Sequence, residues 1–361
     1  MTLTFGEIMV RLCPPNGLMI SQGLPGMLEA SFGGAEANVA VSLANLGAKA
    51  RYVTALPDNQ ISQCCLAQLR GFGVDTGFVR LVKGGRFGLY FVEAGANQRP
   101  SKVVYDRANS AVSEASFDDY DFDGALEGVR RVHISGITPA ISENAAEAAR
   151  RLAELAASKG VSVSFDLNFR NKLWTWRKGV SARDLAREVV PQILKHVDLV
   201  IGNEEDAFDV LGIKSGSSDI HSGKLDFAAY AETAKEIARR FASVKKVSFT
   251  LRESFSAFHN NWGAMLYDVA ADKTYFAPLR DGAYKPYEIK NIVDRVGGGD
   301  SFAAGLIYGL DSGEFDNLQD SLEFAVASSC LAHSMRGDYN YAQKADVLAL
   351  MKGSGSGRVQ R

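Results

Sequence analysis

The sequence predicts an α/β domain: a mostly parallel central sheet with helices on both faces, three layers in all, and a small β-strand lid. Three observations predict it. The apolar pattern switches repeatedly between a period of two and a period of about 3.6, as strands and helices alternate along the chain. That βαβα rhythm builds parallel strands covered by helices. Two glycine-punctuated, strand-like stretches break the rhythm without a helix between their halves.

In chain order, residues 3–12 read as a first strand, and 36–46 as a helix with Ala37, Ala40, Val41, Ala44 and Leu46 on its apolar face. Gly47 then supplies the stop. Residues 52–56 form a short strand, closed by Pro57, Asp58 and Asn59, and 61–69 a helix ended by Gly71. The centre repeats the theme: strand 131–135, alanine-rich helix 142–157, strand 161–167, helix 183–194, strand 197–201 and helix 203–211. Helix 227–241, strand 244–251 and strand 288–293 follow. The rhythm-breaking stretches, 19–32 and 86–105, fit antiparallel ribbons over a cleft or plain hairpins at the sheet edge. No repeat divides the chain. The serine- and glycine-rich pieces 215–223 and 353–357 do not separate balanced domains, so residues 1–361 read as one domain with a lid at about 13–32 and 86–107.

Composition narrows the function. Of 361 residues, 46% are apolar and 23% charged, enough for a substantial core. Forty basic against 42 acidic side chains lack the cationic excess that a nucleic-acid surface needs to displace counterions. Cys13, Cys64, Cys65 and Cys330 form no C-x-x-C pair and no ligand spacing with histidine, against a zinc site or disulfide framework. The N-terminus lacks a basic region followed by an apolar run, and no stretch reaches about 18 apolar residues. The expectation is a cytoplasmic protein with no membrane partner.

The densest chemical signal is Asp294-Arg295-Val296-Gly297-Gly298-Gly299-Asp300, between the strand at 288–293 and an apolar helix to about residue 310. Glycines before a helix let the backbone approach a ligand, and the helix dipole favours an anion such as a phosphoryl group. Asp300 there suits a proton acceptor for an attacking hydroxyl. A plain helix cap at Asp300 or Ser301 fits the residue types as well. No Walker sequence and no G-x-G-x-x-G after the first strand offers another phosphate loop.

Residues 294–300 resemble the D-x-x-G-[AG]-G-D signature of the ribokinase-like (PfkB) sugar kinases. Gly33-Gly34-Ala35-Glu36-Ala37-Asn38 resembles the same family's N-terminal G-G-x-x-x-N signature. The two are specific together and the resemblance spans essentially the whole chain. Residues 250–254, 333–340 and 356–361 look like the group acting on 2-keto-3-deoxygluconate. The resemblance implies a ribokinase-like fold and ATP-dependent phosphorylation of that acid at its C6 hydroxyl, giving 2-keto-3-deoxy-6-phosphogluconate. It implies ATP and Mg2+, with a monovalent cation left open. Separately, exposed lid ribbons would have unpaired edges for a second subunit to cover, so a homo-oligomer through the lid, a dimer, is expected.

Carried over position by position, it implies Asp300 as base, with the N–H groups of Gly297, Gly298 and Gly299 at the phosphoryl group. It implies Gly34, Asn38, Tyr90, Tyr105, Arg107, Asn168 and Arg170 for the acid. The physical chemistry agrees, since a planar guanidinium binds a carboxylate through two parallel hydrogen bonds. On the nucleotide side it implies Asn203, Glu205, Asp206, Arg252 and Asp294, with no direct metal ligand and Mg2+ organised by Glu205 or Asp206. Two departures stand there. The family's N-x-x-E element ends in Asp206, and Arg252-Glu253-Ser254-Phe255-Ser256 replaces a G-x-x-G turn. The alternatives are a kinase for fructose, ribose or the galacto epimer, and a sensor of sugar acids without turnover.

Overall fold

A computed structural model describes residues 1–213 and 225–353. The serine- and glycine-rich piece at 215–223, residues 354–357 of the second one and the segment 356–361 lie outside them.

The central sheet runs Lys273–Ala277, His259–Asp268, Lys246–Ser256, Leu199–Gly202, Ser162–Asp166, Arg131–Ser135, Thr2–Phe5, Ala50–Val53. From Ala50–Val53 to Lys246–Ser256 every neighbouring pair is parallel. The far edge is antiparallel, where Tyr287–Lys290 also pairs with His259–Asp268. The chain begins mid-sheet, adds a neighbour on one side and then builds outward on the other. The order therefore reverses beside Thr2–Phe5, the place where open sheets leave a crevice at the strands' carboxyl ends.

The helices form for local reasons that also cover the sheet. Glu143–Ser158 is capped by Ser142, whose hydroxyl accepts from the Ala145 N–H at 3.0 Å. It buries Ala145, Ala148, Ala149, Leu152, Ala153 and Ala156, a stripe at the helical repeat. Gly298–Asp311 is buried nearly all round and packs tightly on Leu318–Ala332. A Cβ at Gly305 would stand 2.8 Å from the Ala325 Cα.

The expected first strand, 3–12, is two strands in two sheets. Thr2–Phe5 belongs to the central sheet, and Met9–Cys13 to a second sheet ordered Glu29–Gly33, Met9–Cys13, Gly88–Glu93, Lys102–Asp106. The chain leaves the central sheet at Gly6, where a Cβ would collide with the buried Glu36 carboxylate at 2.1 Å. Apolar residues continue through the break, so periodicity does not reveal it. The stretch 86–105 is an antiparallel hairpin, as expected. The stretch 19–32 is not a ribbon: it holds the short helix Ile20–Gly23, and Glu29–Gly33 pairs instead with Met9–Cys13. A parallel pairing of Met9–Cys13 with Gly88–Glu93 joins the halves into one sheet. Its inner face, Met9, Tyr90, Val92, Val103 and Tyr105, packs as a small cluster of its own.

The helix pair sets where Gly298 sits, so Gly305→Val is expected to force Gly298–Asp311 off its neighbour. The variant should be about 1–3 kcal/mol less stable in urea unfolding, the usual cost of overpacking.

Candidate active site

A cavity of about 910 Å³ opens between the carboxyl ends of the central strands and the inner face of the second sheet. Its floor is the start of Gly298–Asp311. Gly297 caps that helix in the left-handed conformation, φ 81°, and a Cβ there would stand 2.2 Å from the Asp338 carbonyl, so only glycine fits. The first-turn N–H groups have no acceptor within the helix, and the turn that carries them, Gly297 to Asp300, lines the cavity.

Asp300 stands in that first turn, 9% exposed, and accepts from the Asn38 amide at 2.7 Å. Asn38 Oδ1 accepts in turn from the Gly34 N–H at 3.2 Å. The two glycine signatures, far apart in sequence, therefore meet through one amide. Gly34 is required by close approach: a Cβ would come within 2.0 Å of the Glu7 carbonyl. Burial pushes the Asp300 carboxyl up to about 7, against the Asn38 hydrogen bond, with Asp338 and Glu36 adding to the rise.

Two more carboxyls converge beside it. Burial raises Asp166 to about 8, with Asp206 and Asp300 adding and Arg170 opposing. Burial likewise raises Asp206 to about 6, against Arg170 and the Phe169 N–H, which donates to it at 3.0 Å. Asn203 caps the helix Glu204–Leu211 by accepting from the Asp206 N–H at 2.8 Å. The Arg170 guanidinium donates to the Phe169 carbonyl at 2.9 Å and serves as countercharge to all three acids. Asn168 takes a left-handed turn at the strand end, φ 33°.

The second sheet supplies the opposite wall. Tyr90 donates to Asp338 Oδ2 at 2.6 Å and its ring lies 6.4 Å from that of Tyr105. Arg107 is buried beside Tyr105 and pairs with the buried Glu7, Nε to Oε2 at 2.6 Å.

The far end of the cavity is cationic and aromatic. Arg252 stands opposite Trp262 and Ser254 opposite Asn260, so the four share one sheet face. Asn260 and Trp262 are 1% and 5% exposed, and among the described residues Asn260 Oδ1 and Trp262 Nε1 have no hydrogen-bond partner. Burial, helped by the nearby Arg252 charge, lowers the pKa of Arg295, which donates to the carbonyls of Ser256 and Ala257.

The cavity thus brings together every residue singled out from the sequence except Asp294. Asp294 turns away and accepts from Arg11 and from the N–H groups of Val296 and Gly337. Residues that sequence reasoning passed over also line it: Glu7, Asp166, Asn260, Trp262, His333 and Asp338. A polar residue ending a buried strand is a signal that could have found Asp166. Asp338 falls in the segment 333–340 that carries part of the resemblance, but the sequence gives it no role.

The chain matches the pfkB family carbohydrate kinase profile over residues 4–345. It belongs to that family, and it is a carbohydrate kinase. It is 30% identical to a 2-dehydro-3-deoxygalactonokinase of Haloferax volcanii, over 98% of each chain. Its structure resembles that of a 2-dehydro-3-deoxygluconokinase from Thermotoga maritima, with 43% identity, a TM-score of 0.87 and coverage of 98% and 99%. A ribokinase-like protein of E. coli solved with ATP and Mg2+ shares the fold, with a TM-score of 0.75 at 21% identity and coverage of 98% and 99%. Among the described residues no helix is long and apolar enough to cross a membrane.

The raised Asp300 carboxyl has a stability consequence. A folded value near 7 against about 3.9 unfolded means the native state holds the proton longer, so this group's contribution falls as pH rises through 7. Asp300→Asn is expected to melt at a higher temperature than the parent at pH 8 and at the same temperature at pH 4. Thermal melts at the two pH values check it.

Proposed function

We propose that the protein transfers the γ-phosphoryl group of ATP to the C6 hydroxyl of 2-keto-3-deoxygluconate. The observation that carries this reading is the placement of a buried carboxyl, Asp300, at a helix N-terminus beside Arg170 and across the cavity from Tyr90, Tyr105 and Arg107. Arg107 and Arg170 offer planar donors to a carboxylate, which neutral sugars lack. The 43% identity to the Thermotoga maritima protein supports the gluco acid. The galacto epimer is the second reading, favoured by the name of the Haloferax volcanii relative.

In this reading Asp300 orients the acceptor hydroxyl and takes its proton as the bond to phosphorus forms. The N–H groups of the helix start, from Gly298 onward, stabilise charge on the transferring oxygens, with Gly297 shaping the turn. A base held near pH 7 by burial is better matched to the task than a free aspartate near about 4. The far end fits a nucleotide: Arg252 brings charge to a polyphosphate, and the unpartnered Asn260 and Trp262 atoms offer hydrogen bonds. Mg2+, when bound with ATP, offsets phosphate charge, and Glu205 and Asp206 are the residues that would organise it. The second sheet excludes water from the reacting groups. Its outer strands, Glu29–Gly33 and Lys102–Asp106, each keep one unpaired edge among the described residues. A second copy covering them is the assembly this reading expects.

The test is ADP release with ATP, Mg2+ and a panel of 2-keto-3-deoxygluconate, its galacto epimer, fructose, ribose and gluconate. Turnover strongest with a 3-deoxy keto acid is expected. Turnover on a neutral sugar instead would refute the roles of Arg107 and Arg170, and silence with retained binding would favour a sensor. Asp300→Asn should lower kcat by at least ~10³. The parent's kcat/KM should fall as pH drops below about 7, as Asp300 takes up its proton. Arg107→Lys should raise KM for the acid far more than it lowers kcat, and an unchanged KM would count against its carboxylate role.

A further inference from the structure

Arg11 stands on the second sheet, in the strand Met9–Cys13, yet both its partners belong to the other side of the cleft. The residue is 3% exposed. Nη1 donates to Asp338 Oδ1 at 2.7 Å and Nη2 to Asp294 Oδ2. Burial pulls the guanidinium pKa down, and Asp338 and Asp294 more than offset it, so the charge is held above its ordinary range.

Each partner reaches the phosphate-binding turn by a different route. Asp294 lies three residues before Gly297, and its carboxylate also accepts from Val296 N at 3.1 Å and Gly337 N at 3.2 Å. Asp338 presses its carbonyl against Gly297. Its second carboxylate oxygen takes the Tyr90 hydroxyl, which comes from the wall proposed to hold the acid. A continuous set of contacts therefore runs from Tyr90 through Asp338 and Arg11 to both sides of Gly297. A shared buried guanidinium is suited to such a link, because losing either partner leaves a buried charge uncompensated.

We infer that Arg11 is a positioning residue that makes the two substrates bind cooperatively. Seating the acid against Tyr90 orders the Asp338–Arg11–Asp294 bridge, and the bridge fixes the turn whose N–H groups receive the nucleotide's terminal phosphate. The inference rests on the kinase reading above and adds to it a coupling between the two halves of the cleft.

Calorimetric titration of the full chain tests it, using AMP-PNP with Mg2+ in the absence and presence of saturating 2-keto-3-deoxygluconate. The parent protein is expected to bind the nucleotide at least about fivefold tighter with the acid present, and by linkage the acid tighter by the same factor. Asp294→Asn weakens one arm of the bridge and leaves Arg11 on Asp338. Arg11→Lys keeps the charge and loses the forked geometry. In both variants the ratio should fall below about twofold, while each ligand alone binds within about threefold of the parent. A merely structural role would lower the melting temperature or both affinities and leave the ratio intact. Independent binding of the two ligands to the parent, or an unchanged ratio in both variants, overturns the coupling and leaves the kinase reading standing. A parent that binds the nucleotide but not the acid overturns the coupling together with the substrate reading.

Discussion

The hydrogen bond from Asn38 to Asp300 is the constraint around which the cleft is arranged. Burial makes a carboxyl more basic, and burial of a charge is costly unless something holds it in place. Asn38 does so with one donor, and its own oxygen is fixed by the Gly34 N–H. Glu36, on the same helix, is fully buried and spends one carboxylate oxygen on Ser135 and Thr138, which ties the helix to the neighbouring strand end. The position of Asp300 thus depends on the register of Ala35–Asn45 against the sheet, and that register is set by interior hydrogen bonds.

Several other acids of the cleft are balanced by arginines. Arg170 faces Asp166, Asp206 and Asp300, Arg107 faces Glu7, and Arg11 faces Asp294 and Asp338. Lysine would not serve equally, since one planar fork addresses two carboxylates at fixed angles.

The alternation of periods made the parallel sheet legible, because each strand is a short apolar run and each helix keeps one apolar face. Glycines before a helix made the turn at Gly297 legible. Two kinds of information were not. A chain that passes from one sheet to another within Gly6–Ile8 keeps its apolar residues, so the join between Thr2–Phe5 and Met9–Cys13 leaves no trace in the pattern. Pairings across long separations are equally silent. Asp294 sits in a phosphate signature and reads as a nucleotide ligand, whereas its geometry is decided by Arg11, on a different sheet. The buried pair of Arg107 and Glu7 is hidden for the same reason.

Asp338 ties the C-terminal segment to both glycine signatures. A Cβ at Gly33 would stand 2.3 Å from its carboxylate, and one at Gly297 would stand 2.2 Å from its carbonyl. The residue is therefore wedged between the two turns that frame Asp300, and it sets their separation as a spacer does. Its carboxylate also raises the Asp300 pKa, so distance and basicity are adjusted by one side chain. Glycines at 33 and 297 are then needed as much to admit Asp338 as to admit a ligand. A substitution at either would push the spacer out and widen the gap across which Asn38 reaches Asp300.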